Sequence, residues 1–138
     1  MSIAEDNVAL IRRAVDAFNR NDTSQFAELY APDIVRHDLA NVIDRIEGVS
    51  GVQGYLGLLR TALPDLHIEL SDVFANDEGR VATRLTFTGT HLGELLGVAP
   101  TGKKVTFTGV NLYRVANGQM AETWQLMDCA GALKQVTG

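Results

Sequence analysis

The sequence predicts an α+β domain with helices on one face of an antiparallel sheet. Three observations predict it. Apolar residues recur at helical spacing as far as Leu63, the period changes to strand-like alternation after Pro64, and turn signals at Asn76–Gly79 and Asn117-Gly118 divide the second half into hairpins.

Ala4, Val8, Ile11, Val15 and Phe18 share one stripe, widened by Leu10, Ala14 and Ala17, while Arg12, Arg13 and Asp16 fall outside it. This spacing predicts an amphipathic helix, ended by Asn19, Asn21 and Asp22. Thr23 or Ser24 caps a short second helix through Phe26, Leu29 and Tyr30. Pro32 is expected to stop that helix, because its ring removes a donor and restricts the preceding residue. Ile34 to Asn41 reads as an extended or loop segment carrying Arg36, His37 and Asp38. A third helix enters at Gly48 and Gly51 and runs through Val52, Tyr55, Leu56, Leu59 and Leu63 to Pro64. Within it Gly54 and Gly57 cost about 1 kcal/mol each relative to alanine, which a close approach or tolerated weakness would explain.

Leu66 to Ala75 and Val81 to His91 then form a hairpin, Gly93 to Gly102 a loop, and Val105 to Val115 a strand. Asn117-Gly118 is a two-residue turn signal before the last strand, Met120 to Asp128. No repeat, low-complexity tract or linker interrupts residues 1–138, so one domain is expected.

Composition narrows the function classes. A chain of 138 residues, 46% hydrophobic and 21% charged, is an ordinary globular domain that buries roughly 68% of its unfolded surface. A net charge of −5 with scattered Lys and Arg argues against nucleic-acid binding. Arg12-Arg13 and Lys103-Lys104 read as solvated faces. No apolar run approaches the ~20 residues that cross a bilayer, and no basic segment followed by an apolar one opens the chain. A cytoplasmic protein without membrane partners is expected. The single Cys129 rules out an intramolecular disulfide and a cysteine-based zinc cluster, and reads as a small buried side chain. His37, His67 and His91 lack ligand spacing, so no metal is expected.

The candidate chemistry lies in the second half. Strand parity puts Val81, Leu85, Phe87 and His91 on one face and Arg84, Thr86, Thr88 and Thr90 on the other. On the last strand it groups Met120, Glu122, Trp124, Leu126 and Asp128 opposite Thr123, Gln125 and Met127, unless a bulge reverses the assignment. Asp128 has two readings. Desolvation beside Trp124 would raise its pKa and suit it to proton transfer, or it caps the short C-terminal turn from Cys129. His91, at a strand end, and His37, beside Asp38, could move a proton or hold structure. Arg84 could bind a carboxylate or enolate oxygen, or point outward to pair with Glu69 or Glu122. A phosphate cradle, a nucleophile elbow and a dinucleotide fingerprint are all missing.

Arg84 to Leu96 with Gly97 and Pro100-Thr101-Gly102-Lys103, followed by Asn117-Gly118-Gln119-Met120-Ala121-Glu122-Thr123-Trp124, Asp128 and Leu133, resembles the SnoaL-like polyketide cyclase family of the nuclear-transport-factor-2-like superfamily. The early helix, Asp22, His37 and Pro64-Asp65 fit as well, so the resemblance spans nearly the whole chain. It implies a cone-shaped α+β barrel, a curved antiparallel sheet wrapped around the N-terminal helices over a deep apolar pocket. It also implies a cofactor-independent intramolecular aldol condensation, in which a carboxylate removes a proton alpha to a carbonyl, and a homodimer formed through the outer sheet face. Many relatives carry His or an acid at the positions of Thr123 and Gln125, and an amide is no general base.

These readings together predict an enzyme of the cyclase or isomerase type acting on a hydrophobic, carbonyl-bearing small molecule. Asp128 would be the base, with His91 or His37 orienting it or stabilising an oxyanion. Phe18, Tyr55, Phe87 and Trp124 would shape the pocket, with Arg84, Asn111 and Gln125 as its polar contacts. The alternatives are a non-catalytic binder of a polyketide- or steroid-like ligand, and a hydrolase or hydroxylase on the same scaffold.

Overall fold

The computed structural model describes residues 2–138. Four helices and six strands follow in the order α1 (Ile3–Asn19), α2 (Phe26–Leu29), β1 (Tyr30–Asp38), β2 (Ile46–Glu47), α3 (Gly48–Ala62), β3 (His67–Ala75), β4 (Arg80–Thr90), β5 (Lys104–Ala116), β6 (Gln119–Met127) and α4 (Cys129–Thr137). A 3-10 turn, Thr23–Gln25, precedes α2. The strands make one sheet in the order β2-β1-β6-β5-β4-β3. It is mixed and does not close, because β1 runs parallel to β6 while the other pairs are antiparallel, and β2 and β3 are free edges. The fold is α+β, as expected. No helix among the described residues is long and apolar enough to cross a membrane.

The helices form where the stripe predicts. Ser2 caps α1, its Oγ accepting from Glu5 N at 3.1 Å, and Ile11, Ala14, Ala17 and Phe18 face the sheet. At the other end the Asn19 amide bonds both the carbonyl and the N–H of Ile68, each at 2.8 Å. Arg60 of α3 donates to Phe18 O at 2.6 Å and Leu66 O at 2.8 Å and lies over the Phe18 ring. These bonds fix α1 and α3 side by side over the inner face of the sheet. Nothing within 4 Å faces Gly54 or Gly57. Their weakness is tolerated rather than used.

Burial alternates along β4 and β5, so one face is core and the other is open. Asn117 and Gly118 both take positive φ, 53° and 73°, in the tight turn between β5 and β6.

Two local departures matter for the site. Pro32 does not end a helix. Leu29 already has, and Pro32 sits exposed inside β1, where the pairing with β6 shifts register between Tyr30 and Val35. A proline tolerates that place because the shift removes the need for its missing N–H. The second departure is in β6, where Arg114 faces Glu122 but Val115 faces Met120, leaving Ala121 as an extra residue. This bulge carries the inner face from Met120 to Thr123, Gln125 and Met127 and turns Glu122, Trp124 and Leu126 outward.

Candidate active site

Between the helices and the inner sheet face lies a narrow, partly open cavity. Ile11, Ala14, Phe18, Leu56, Leu85 and Phe87 form much of its apolar wall. Phe87 is set by a parallel stack on Phe107, ring centroids 4.9 Å apart.

The polar part is built by the sheet register. Asn111 of β5 pairs with Gln125 of β6, Tyr113 pairs with Thr123, and Arg36 of β1 lies beside Thr123 on the other side. Period-two alternation then puts Arg36, Gln125, Asn111 and Tyr113 along one wall of the cavity, which Tyr30 of β1 and Tyr55 of α3 also line. The Arg36 Nε donates to Gln125 Oε1 at 2.7 Å, and Gln125 Nε2 donates to Tyr55 Oη at 3.1 Å. The Tyr55 hydroxyl in turn donates only to the thioether of Met127, at 3.7 Å. Asn111 Nδ2 donates to Tyr113 Oη at 3.0 Å.

Burial governs the electrostatics. It pushes the Tyr30 phenol up to about 12, and it raises Tyr55 as well, partly opposed by the nearby Arg36 charge and the Gln125 hydrogen bond. Both phenols are therefore neutral donors at ordinary pH. Thr123 Oγ1 is buried with no hydrogen-bond partner among the described residues.

Of the side chains the sequence nominates, Phe18, Tyr55, Phe87, Asn111 and Gln125 line this cavity. The others stand elsewhere. Asp128 is exposed and caps α4, its carboxylate accepting from Gly131 N at 2.8 Å. The expected desolvation beside Trp124 is missing because the β6 bulge sends Trp124 to the outer face. His91 is fully buried, but in the loop after β4, bonded to Thr101 Oγ1 at 2.9 Å and to the Val98 carbonyl at 3.2 Å. Its Nδ1 accepts from Thr101 N, so Nε2 carries the proton and both nitrogens hold the loop. His37 lies on the outer face, 2.7 Å from Glu122 and stacked on Trp124. That hydrogen bond, with help from Arg114, holds the Glu122 carboxyl below its ordinary range. Arg84 is also outside, its Nε 2.6 Å from Asp72 rather than from Glu69 or Glu122.

Asp128, His91 and His37 thus do not converge, and among the described residues no carboxylate or imidazole lines the cavity. Arg36, Tyr30 and Tyr113 are site residues that the sequence reading passes over. Strand alternation of Ile34 with Arg36 is the signal for Arg36, but only the pairing of β1 with β6 shows that this face meets Gln125. No group of three or more potential metal ligands clusters among the described residues.

The fold and sequence are similar to those of known proteins. The model of the SnoaL-like polyketide cyclases covers residues 8–136. The aklanonic acid methyl ester cyclase DauD of Streptomyces sp. strain C5 is 22% identical over 130 residues, 94% of this chain and 80% of that protein. Among solved structures, AclR of Streptomyces galilaeus, a proposed hydroxylase, is 32% identical with a TM-score of 0.83 over 97% of each chain. IdmH of Streptomyces antibioticus, a proposed polyketide cyclase, is 29% identical with a TM-score of 0.84 over 96% of this chain and 99% of that one. With a family match over most of its length and a fold shared with solved relatives, this chain belongs to the SnoaL-like polyketide cyclases.

Proposed function

We propose that this protein is a cofactor-independent enzyme of the cyclase or isomerase type, acting on a hydrophobic, carbonyl-bearing small molecule. The observation that carries this is the Tyr55 hydroxyl, a neutral donor inside an apolar cavity, oriented by Gln125 and left with only a sulfur acceptor. A substrate carbonyl would displace that weak bond. As a solvent water takes the proton alpha to the carbonyl, the electron pair moves onto oxygen, and Tyr55 with the Arg36 charge behind it stabilises the enolate. The enolate carbon then attacks a second carbonyl of the same molecule, forming the ring carbon–carbon bond, and the new alkoxide takes up a proton. Removing one such donor typically costs about 10²–10³ in kcat.

No carboxylate or imidazole of the described residues lines the cavity, so the substrate must be a strong carbon acid. A carbon flanked by two carbonyls meets that need. The base role first given to Asp128, with His91 or His37 beside it, finds no support in where those side chains lie. The same lack favours a second reading, a binding protein for such a ligand, and the likeness to AclR favours a hydroxylase.

One assay separates them. Aklanonic acid methyl ester, the substrate named for DauD, is incubated with the protein and followed by chiral chromatography and mass spectrometry. An isomer of unchanged mass is expected, formed at least ~10²-fold more slowly by Tyr55→Phe. A product heavier by one oxygen supports the hydroxylase, tight binding without product supports the binder, and full turnover by Tyr55→Phe removes Tyr55 from the mechanism.

A further inference from the structure

We propose that the cavity takes its ligand as an anion whose charge is shared by two oxygens, a carboxylate or an ionised 1,3-diketone, seated on Arg36. This rests on reading the cavity as a small-molecule site, and it adds the substrate's charge and the residue that selects it. Arg36 is half-buried and lines a chamber that is otherwise largely apolar. Its Nε–H is committed to Gln125, while among the described residues its two Nη groups have neither a hydrogen-bond acceptor nor a carboxylate within ion-pair distance.

Among the described residues Arg12 and Arg80 also lack a carboxylate partner but are exposed to water, whereas Arg36 lines the cavity. Arg84 and Arg114 pair with carboxylates on the outer face, and Arg60 is spent on two backbone carbonyls. Arg36 instead meets an uncharged amide. Asp38, two residues further along β1, is occupied by the N–H groups of Ala40, Val42 and Ile43 at 3.1, 2.9 and 2.9 Å. The two phenols beside it are held protonated by burial.

A guanidinium withdrawn from water without a counter-ion is costly, and it is repaid when an anion of matching geometry arrives. Two parallel Nη hydrogens suit a planar pair of oxygens, which both a carboxylate and a diketone enolate present. The apolar wall takes the rest of the molecule.

Two matched pairs of probes test this by calorimetry at neutral pH. The first is 2-naphthoate with methyl 2-naphthoate. The second is 2-phenyl-1,3-indandione, which is ionised, with its 2-methyl derivative, which cannot ionise. In the wild type at least one anion is expected to bind about ten- to a hundredfold more tightly than its neutral match, and the pair that shows the preference identifies the source. Arg36→Met should abolish the preference while the neutral probes keep their affinity, and Arg36→Lys should restore only part of it. Should the methionine variant fail to fold, Arg36→Gln keeps a donor to Gln125 and repeats the test. Neutral probes binding as tightly as the anions would overturn the proposal and leave the cavity reading standing, as would a preference that survives loss of Arg36. Failure of all four probes to bind would overturn both.

Discussion

Arg36 and Gln125, 89 positions apart in the chain, meet at 2.7 Å, the guanidinium Nε donating to the amide oxygen. The consequence lies in what the amide is not. A carboxylate at position 125 would neutralise Arg36 and leave nothing to donate to Tyr55. Glutamine accepts from one neighbour and donates to the other without charge, so the positive field of Arg36 stays available to whatever enters the cavity. The change from an acid to Gln125, which reads in the sequence as a loss of the general base, becomes in the structure the means of keeping an unpaired cation next to a phenol donor.

That arrangement leaves Asp128 with a structural task, and its substitutions separate capping from catalysis. Asn caps about as well as Asp, so Asp128→Asn should retain both stability and turnover. Asp128→Ala loses the bond to Gly131 N and should cost about 1 kcal/mol. Urea unfolding of the two variants beside an activity assay decides it; an inactive but stable Asn variant would return Asp128 to the mechanism.

Asp65 links stability to pH. Its two carboxylate oxygens accept from Thr90 N at 2.6 Å and Thr90 Oγ1 at 2.7 Å, and these bonds hold its pKa below the ordinary 3.8. Because the folded pKa is the depressed one, the stabilisation is fully present above the unfolded value and is lost as pH falls through the folded value. Thermal unfolding followed from neutral pH downward should show wild-type stability dropping through this acid range, with a shallower drop in Asp65→Asn. Parallel curves for the two proteins would mean that the Thr90 bonds contribute nothing to the pH dependence.

The outer sheet face offers a test of assembly. Val110, Leu112 and Leu126 stand there 47%, 45% and 45% exposed on adjacent strands, beside Trp124. Exposed apolar side chains grouped in this way mark contact surfaces more often than isolated ones do. If two copies pair through this face, as the family resemblance implies, sedimentation should give a dimer for the wild type and a monomer for Leu112→Glu, with the cavity ligand still bound. A wild-type monomer at high concentration would remove the pairing.

The helices, hairpins and turns were legible because each rests on local rules, namely stripe spacing in α1 and α3, alternation in β4 and β5, and the positive φ of Asn117 and Gly118. The site was half legible. Phe18, Tyr55, Phe87 and Asn111 sit on elements whose faces follow from periodicity alone, whereas Gln125 reaches the cavity only through the bulge in β6. Arg36 was passed over although its segment reads as extended, because its parallel pairing with β6, which brings it beside Gln125, joins strands far apart in the chain. Trp124 and Asp128 were misplaced by the single extra residue Ala121, since one inserted residue exchanges the faces of everything after it. The first error arises from pairing between strands distant in sequence, and the second from a bulge beside the β5–β6 turn that alternation does not mark.

Thr123 supplies the sharpest test of this register. The bulge turns it inward, where it is fully buried and its Oγ1 finds no partner among the described residues. An unsatisfied buried hydroxyl costs about 1–3 kcal/mol, and valine has nearly the same shape without the polar atom. Thr123→Val should therefore raise the midpoint of thermal unfolding, a sign opposite to that of most core substitutions, since packing is preserved and desolvation of the hydroxyl is avoided. Had the unbulged parity held, position 123 would face solvent, and the same change would leave stability within about 0.5 kcal/mol of wild type. A destabilised variant would instead mean that the Thr123 hydroxyl is bonded in solution, with a water or a ligand group as its partner.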